Sequence, residues 1–165
     1  ITRLLELPMV LQSRPGRGTL IGVRVPVCAP VPQVAAPASA MPRPIASGRR
    51  VLLVDNEPEG VRALAALLGT WGIEVLSAND GLQASAVLAE GPVDAWILDY
   101  HLDRGDTGLA LRQRLQSEFG ACPAVLVSAD HGPELRTLAA EQEIHLLHKP
   151  IKPLALRSLL SRLWA

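Results

Sequence analysis

The sequence predicts an α/β domain: a doubly wound, five-stranded parallel sheet with helices on both faces. Short continuous apolar runs recur at residues 51–54, 95–98, 124–127 and 144–147. Runs of this length between helix-period segments read as buried parallel strands. Each run ends in polar residues: Asp55-Asn56-Glu57, Asp99, Ser128 and His148-Lys149. Chemistry in an open parallel sheet gathers beyond the carboxyl ends of its strands, where strand order reverses. The sequence therefore places three acids, a hydroxyl and a lysine at one end of one sheet.

The elements follow in order from residue 49. The first strand is 51–54, and Pro58 opens a helix where its missing N–H costs little. Val61, Leu64, Leu67 and Leu68 recur at helical spacing, and Gly69 ends that pattern near the C-cap. The second strand, 73–76, is interrupted by Glu74 and so belongs at an edge. Asn79 or Asp80 caps a helix carrying Ala84, Val87 and Leu88. The third strand is 95–98, followed by a polar loop over 100–108. Thr107 is the expected cap of a third helix, with Leu111, Leu115 and Phe119 as its apolar stripe. Pro123 precedes the fourth strand. The fourth helix, 133–142, has a weak stripe of Leu135, Leu138 and Ala139, and the fifth strand is 144–147. The last helix has the clearest stripe: Leu156, Leu159, Leu160, Leu163 and Trp164. Five strands alternating with five helices and joined by right-handed crossovers give a three-layer sandwich.

The preceding residues are organised differently. Residues 1–7 could close a helix. Residues 8–12 and 19–27 read as two strands around a turn at 13–18 punctuated by Pro15, Gly16 and Gly18. A hairpin alone is marginal in water, so this piece belongs to a larger sheet. Residues 28–48 alternate Pro30, Pro32, Pro37, Pro42 and Pro44 with Ala and Ser, and read as an extended linker. The start at Ile1 carries no initiator Met and no signal-peptide layout, and is expected to be a cut into a longer protein. With Trp164 next to last, no output domain is expected to follow.

Composition narrows the function classes. Sixteen basic residues balance sixteen acidic ones, so no field of either sign argues for nucleic acid or an anionic membrane. No apolar run approaches the ~18 residues of a membrane span. A 48% hydrophobic content supports a core, and with aromatics at 3% Leu, Val and Ala must fill it. Cys28 and Cys122 make neither a disulfide framework nor a metal cluster. They read as inert thiols in a reducing cytoplasm.

At the strand ends, Asp55, Glu57 and Asp99 converge if the first and third strands are neighbours. Like charges held close raise one another's pKa, and a hard divalent cation such as Mg²⁺ relieves that cost. Asp99 is the candidate nucleophile, because an ionised carboxylate can form an acyl phosphate. Phosphoryl transfer asks mainly for alignment and charge neutralisation. Lys149 supplies a point cation, Ser128 a hydroxyl and the region of Ala129 a backbone N–H. The Lys149-Pro150 pair suggests a fixed turn, open to a cis bond. His101, His131, His145 and His148 match no metal-site spacing and are expected to pack or face water.

Residues 50–164 resemble a response-regulator receiver (CheY-like) domain of two-component signalling. The resemblance is carried by Val54-Asp55-Asn56-Glu57, Leu98-Asp99, Val127-Ser128-Ala129 and Lys149-Pro150. It implies the flavodoxin-like strand order 2-1-3-4-5. It implies that Asp99 receives phosphate from a phosphohistidine. It also implies that Asp55 and position 56 hold Mg²⁺ with Asp99 and the main-chain carbonyl of His101, while Ser128 and Lys149 contact the phosphoryl group. Three departures stand out. Asn56 replaces a second acid, which predicts weaker Mg²⁺ binding unless Glu57 helps. The loop after Asp99 carries Leu102-Asp103 and one extra residue before Gly108. Leu146 stands where the family has a switch aromatic, so output should rest on other movements, such as Ser128 and the fourth helix.

Ser13, Pro15, Gly16, Gly18 and Thr19, followed by a strand ending at Val25-Pro26, resemble the last hairpin of histidine-kinase ATP-binding domains. The upstream nucleotide-binding boxes of that family are absent, so this fragment is not expected to bind ATP. Together the resemblances imply a kinase-domain fragment at 1–27, a linker at 28–48 and a receiver at 49–165. This is the tail of a hybrid sensor histidine kinase, itself a phosphotransferase. Its implied partners are the kinase core, in the same chain or in trans, and a histidine phosphotransfer protein. The face of the fourth helix, fifth strand and fifth helix pairs receivers in this family, making a homodimer a candidate assembly. Two other readings are a degenerate receiver acting as a phosphorylation-independent docking module, and a phosphatase with Asp99 as nucleophile. The phosphatase lacks a paired acid two residues on, where His101 stands.

Overall fold

The computed structural model describes residues 8–16, 18–24 and 48–164. The expected helix over 1–7, the end of the second strand and the Pro-rich linker through residue 47, with Cys28, lie outside the described residues. The chain divides into two units, residues 1–39 and 40–165.

In the first unit, β1 (Met9–Arg14) and β2 (Gly18–Val23) form an antiparallel hairpin. The strands run closer to the turn than expected, because Ser13 and Thr19 face each other and their hydroxyl oxygens lie 2.9 Å apart. Met9, Leu11, Leu20 and Ile21 are all exposed.

In the second unit the elements are β3 (Arg50–Val54), α1 (Pro58–Gly69), β4 (Glu74–Ala78), α2 (Gly81–Glu90), β5 (Ala95–Asp99), a 3₁₀ turn (Asp103–Gly105), α3 (Gly108–Phe119), β6 (Ala124–Ser128), α4 (Pro133–Glu141), β7 (His145–His148) and α5 (Pro153–Leu163). All strand pairs are parallel, in the order β4-β3-β5-β6-β7. This is the flavodoxin-like order, with the Glu74 strand at one edge.

Alternation along the strands sorts the core into two layers. Leu52, Val54, Trp96, Leu98 and Leu126 pack with Ala84, Leu88, Leu111, Leu115, Leu135 and Ala139 of α2, α3 and α4. Val51, Leu53, Ile97, Val125 and Val127 pack with Leu68 of α1 and Leu156, Leu159 and Leu160 of α5. The strands are apolar on both faces because both faces are covered.

The caps agree with expectation at Asp80, whose carboxylate accepts the Gln83 N–H at 2.8 Å. They also agree at Thr107, whose hydroxyl accepts the Ala110 N–H at 3.2 Å. Gly69 ends α1 as expected, as its last helical residue, with Thr70 as C-cap; the left-handed residue is Gly72, at φ 79°, where the chain turns into β4. Two expectations need correction. Phe119 and Leu138 are 37% and 40% exposed: Phe119 is the last residue of α3, and Leu138 lies to one side of the buried Leu135–Ala139 stripe of α4.

At the amino ends of the strands a polar clasp ties the unit together. Asp94 accepts from the Arg49 guanidinium at 2.5 Å and the Arg50 N–H at 2.8 Å. Its own N–H donates to the Arg50 carbonyl at 2.7 Å. The Trp164 indole N–H donates to the Asp94 carbonyl at 3.2 Å, and Arg49 lies over the Trp164 ring. Burial works against the Asp94 carboxylate, but the Arg50 N–H and the Arg49 guanidinium outweigh it and hold its pKa below the ordinary value.

Two stability predictions follow from this packing. A folded-state pKa below the unfolded one stabilises above the unfolded value and loses that contribution as pH falls through the folded one. Asp94→Asn should therefore cost about 1 kcal/mol at pH 7, a figure discounted for the exposure of Arg49. The deficit should close below about pH 3.9, as read by urea unfolding at both pH values. The second concerns Gly108, where a Cβ would collide with the Asp99 carbonyl oxygen and come within 2.9 Å of Leu126 Cδ1. Gly108→Ala should cost about 1–3 kcal/mol by overpacking. Gly69→Ala, with nothing within 4 Å, should instead gain about 0.5 kcal/mol.

Candidate functional site

From β3 the chain crosses to β4 on one side and then to β5 on the other. The carboxyl ends of β3 and β5 therefore flank the switch point, where a site is expected. Asp55 follows β3 directly, and its N–H is held by the Ala78 carbonyl at 3.2 Å. Its Oδ1 accepts the Glu57 N–H at 2.8 Å, a local turn that also sets the start of α1. Asp99 is the last residue of β5. The loop beyond it is tethered by the Tyr100 N–H on the Val127 carbonyl at 2.7 Å and the Gly108 N–H on the Tyr100 carbonyl at 3.0 Å.

Lys149 enters from the far side of the sheet. Its N–H donates to the Ser128 carbonyl at 2.8 Å, and the Lys149–Pro150 peptide is cis. Its Nζ lies 2.9 Å from Asp55 Oδ2, 3.3 Å from Asp99 Oδ1 and 3.7 Å from Glu57 Oε2. The expected convergence of Asp55, Glu57, Asp99 and Lys149 is thus present. Asp55 and Asp99 are 7% and 6% exposed, while Glu57 is exposed at the rim.

Burial and the Asp55 charge push the Asp99 pKa above the ordinary aspartate value, against the Lys149 ammonium. Burial works against the charged form of Lys149, but the Asp55 hydrogen bond and the two carboxylate charges outweigh it and hold its pKa above the ordinary lysine value. The pair is an ammonium that stays charged beside a carboxylate under electrostatic pressure. That is an arrangement suited to a reacting group.

Ser128 ends β6 and is fully buried. Its hydroxyl oxygen accepts the Asp130 N–H at 3.0 Å and keeps its own proton to donate. Asn56 donates its amide N–H to Asp103 Oδ1 at 2.7 Å, a contact the sequence reading did not anticipate. His101 sits in an isolated bridge with Thr107. That bridge is closed by the Leu102 and Gly108 N–H groups on Asp106 and Tyr100, so it uses neither the N–H nor the carbonyl of His101. Three of the histidines pack against aromatic rings, His101 meeting Tyr100 edge-on at 4.8 Å and His131 meeting His148 at 4.5 Å, while His145 is exposed. Cys122 is a half-buried free thiol pushed up to about 11 by burial and the Asp94 charge.

Among the described residues no group of three or more His, Cys, Asp or Glu side chains could hold a metal ion. The oxygens at hand are the carboxylates of Asp55 and Asp99, the amide oxygen of Asn56 and the unspent carbonyl of His101. These are hard donors, and one or two carboxylates with waters and a substrate phosphate are what Mg²⁺ usually takes. The donor set therefore fits that cation. A cleft of about 330 Å³ opens beside Asp55 and Asn56.

The response regulator receiver domain family matches residues 51–161. Sensor histidine kinase RcsC of Salmonella typhi is 32% identical over 112 residues, covering 67% of this chain and 12% of that kinase. Sensor protein EvgS of Escherichia coli O157:H7 is 28% identical over 156 residues, covering 93% of this chain and 13% of that protein. The chain thus spans a small part of the curated relatives it matches. Among solved structures, chemotaxis protein CheY4 of Vibrio cholerae superposes with a TM-score of 0.62 at 26% identity, covering 72% of this chain and 99% of that one. Among the described residues no helix is long and apolar enough to cross a membrane. With its sheet order, its acids at the switch point and a family match over most of its length, the chain belongs to the response-regulator receiver family.

Proposed function

We propose that this receiver accepts a phosphoryl group from a phosphohistidine on Asp99, with Mg²⁺, as a step in a two-component phosphorelay. The observation that carries this is the buried Asp99 carboxylate at the end of β5, with the Lys149 ammonium 3.3 Å away and Asp55 on the other side of that ammonium. An Asp99 oxygen attacks phosphorus, an acyl phosphate P–O bond forms, and the P–N bond to the donor imidazole breaks. The electron pair stays on the imidazole, which takes a proton from solvent. Lys149 moves its charge toward the transferred oxygens, and Ser128 donates its hydroxyl proton as a hydrogen bond. When bound by Asp55, Asn56, Asp99 and the His101 carbonyl, Mg²⁺ supplies charge neutralisation.

The wider setting is part of the proposal. Residues 1–27 are the last hairpin of a histidine-kinase ATP-binding domain, 28–48 a linker and 49–165 the receiver of a hybrid sensor kinase working in the cytoplasm. The receiver takes phosphate from that kinase core, in the same chain or in trans, and passes it to a histidine phosphotransfer protein. Similarity to a sensor protein over 93% of the chain supports this, since it reaches well beyond the receiver. So do the exposed apolar side chains of the hairpin, which a larger sheet would cover. A docking role without phosphate is the second reading. It is favoured by Asn56, which spends its N–H on Asp103 and lacks the charge of an acid.

Incubation with acetyl phosphate and Mg²⁺ should add one phosphoryl group by mass, and Asp99→Asn should abolish the addition. An unmodified mass across a range of Mg²⁺ concentrations would favour docking. A second readout concerns stability. An acid whose folded pKa is raised loses folding free energy as pH climbs past its unfolded pKa. Asp99→Asn should therefore raise the unfolding midpoint of the metal-free chain at pH 7, by on the order of 1 kcal/mol.

A further inference from the structure

Asn56 faces a carboxylate, and this decides the orientation of its amide. A carboxylate only accepts hydrogen bonds, so the group touching Asp103 Oδ1 at 2.7 Å must be the NH₂. The amide oxygen is then the free end, available as a ligand. Asp103 is itself held in place. It lies in the 3₁₀ turn, its carbonyl accepts the Asp106 N–H at 3.2 Å, and the Leu102 N–H donates to the Asp106 carbonyl at 3.1 Å. Leu102 is buried in the core, and the Asp106 carboxylate is paired with Arg114.

Resting on the receiver reading above, we infer that Asp103 is a positioning residue for the cation. It fixes the Asn56 amide with its NH₂ toward Asp103 and its oxygen turned away, available to ligate. A carboxylate that orients a first ligand in this way commonly governs metal affinity by 10- to 100-fold. The polar loop after Asp99 then has a chemical purpose, because it carries the carboxylate that orients Asn56.

A double-mutant cycle on the 165-residue chain tests this, with Mg²⁺ affinity read by calorimetry and metal-free unfolding midpoints read alongside. Asp103→Ala, which removes the acceptor, should weaken Mg²⁺ binding about tenfold and leave the metal-free midpoint in place. Asn56→Ala should weaken binding as well. The double variant should bind no worse than Asn56→Ala alone by more than about twofold, since Asp103 would have no amide left to orient. Equal losses from Asp103→Ala in both backgrounds would reduce Asp103 to background charge and overturn the inference, as would unchanged affinity in the single variant. An unaltered chain that takes up no Mg²⁺ would instead remove the cation reading itself. Asp103→Leu, which also lacks an acceptor, repeats the single-variant measurement if the Ala form folds poorly.

Discussion

One ammonium group holds the functional end of this domain together. Lys149 Nζ is shared between Asp55 and Asp99, at 2.9 and 3.3 Å, and so links the ends of β3, β5 and β7. Two nearly buried carboxylates side by side would otherwise repel each other in a medium that solvates them poorly. The ammonium makes their proximity affordable in the metal-free molecule.

That contact needs three strands to end in register, and the register is set by the core. β3 and β5 pair with Val54 beside Leu98, and β5 and β6 with Asp99 beside Val127. Each strand is apolar on both faces, so a one-residue slip would exchange every side chain between two differently shaped layers. Gly108 adds a steric clamp: the start of α3 passes so close to the Asp99 backbone that a methyl group has no room. The position of Asp99 is therefore fixed from behind by packing and from in front by charge.

Most of this was legible because buried parallel strands announce themselves. Continuous apolar runs located β3, β5, β6 and β7, and the polar residues ending them located Asp55, Asp99, Ser128 and Lys149. Edge strand β4 was harder: it runs on to Ala78, because Ser77 and Ala78 pair with Leu53 and Val54 without being strongly apolar themselves. Phe119 and Leu138 misled in another way. Both fit a helical period, yet Phe119 falls at the very end of α3 and Leu138 at the margin of the narrow stripe made by Leu135 and Ala139, and periodicity encodes neither where a helix leaves the sheet nor how wide the covered stripe is. Asp103 and Asp94 were missed as partners because their hydrogen bonds span 47 and 44 residues. A carboxylate absent at position 56 was still a usable signal, since it invites a search for an acid in a loop at the same sheet end.

Two aspartates at opposite ends of β5 show how environment divides one residue type into two roles. Asp94, just before the strand, meets a guanidinium and a backbone N–H, and its pKa is held down. Every charge near it is answered, so its ionisation stabilises the fold. Asp99, at the other end, is buried against another acid, and its pKa is pushed up despite Lys149. Its ionisation works against the fold. Electrostatic strain of this kind clusters where groups react, and under the proposed function a cation and a phosphoryl group would relieve it. A five-residue strand thus separates a structural carboxylate from a chemical one, and the difference lies in what the neighbouring strands bring to each end.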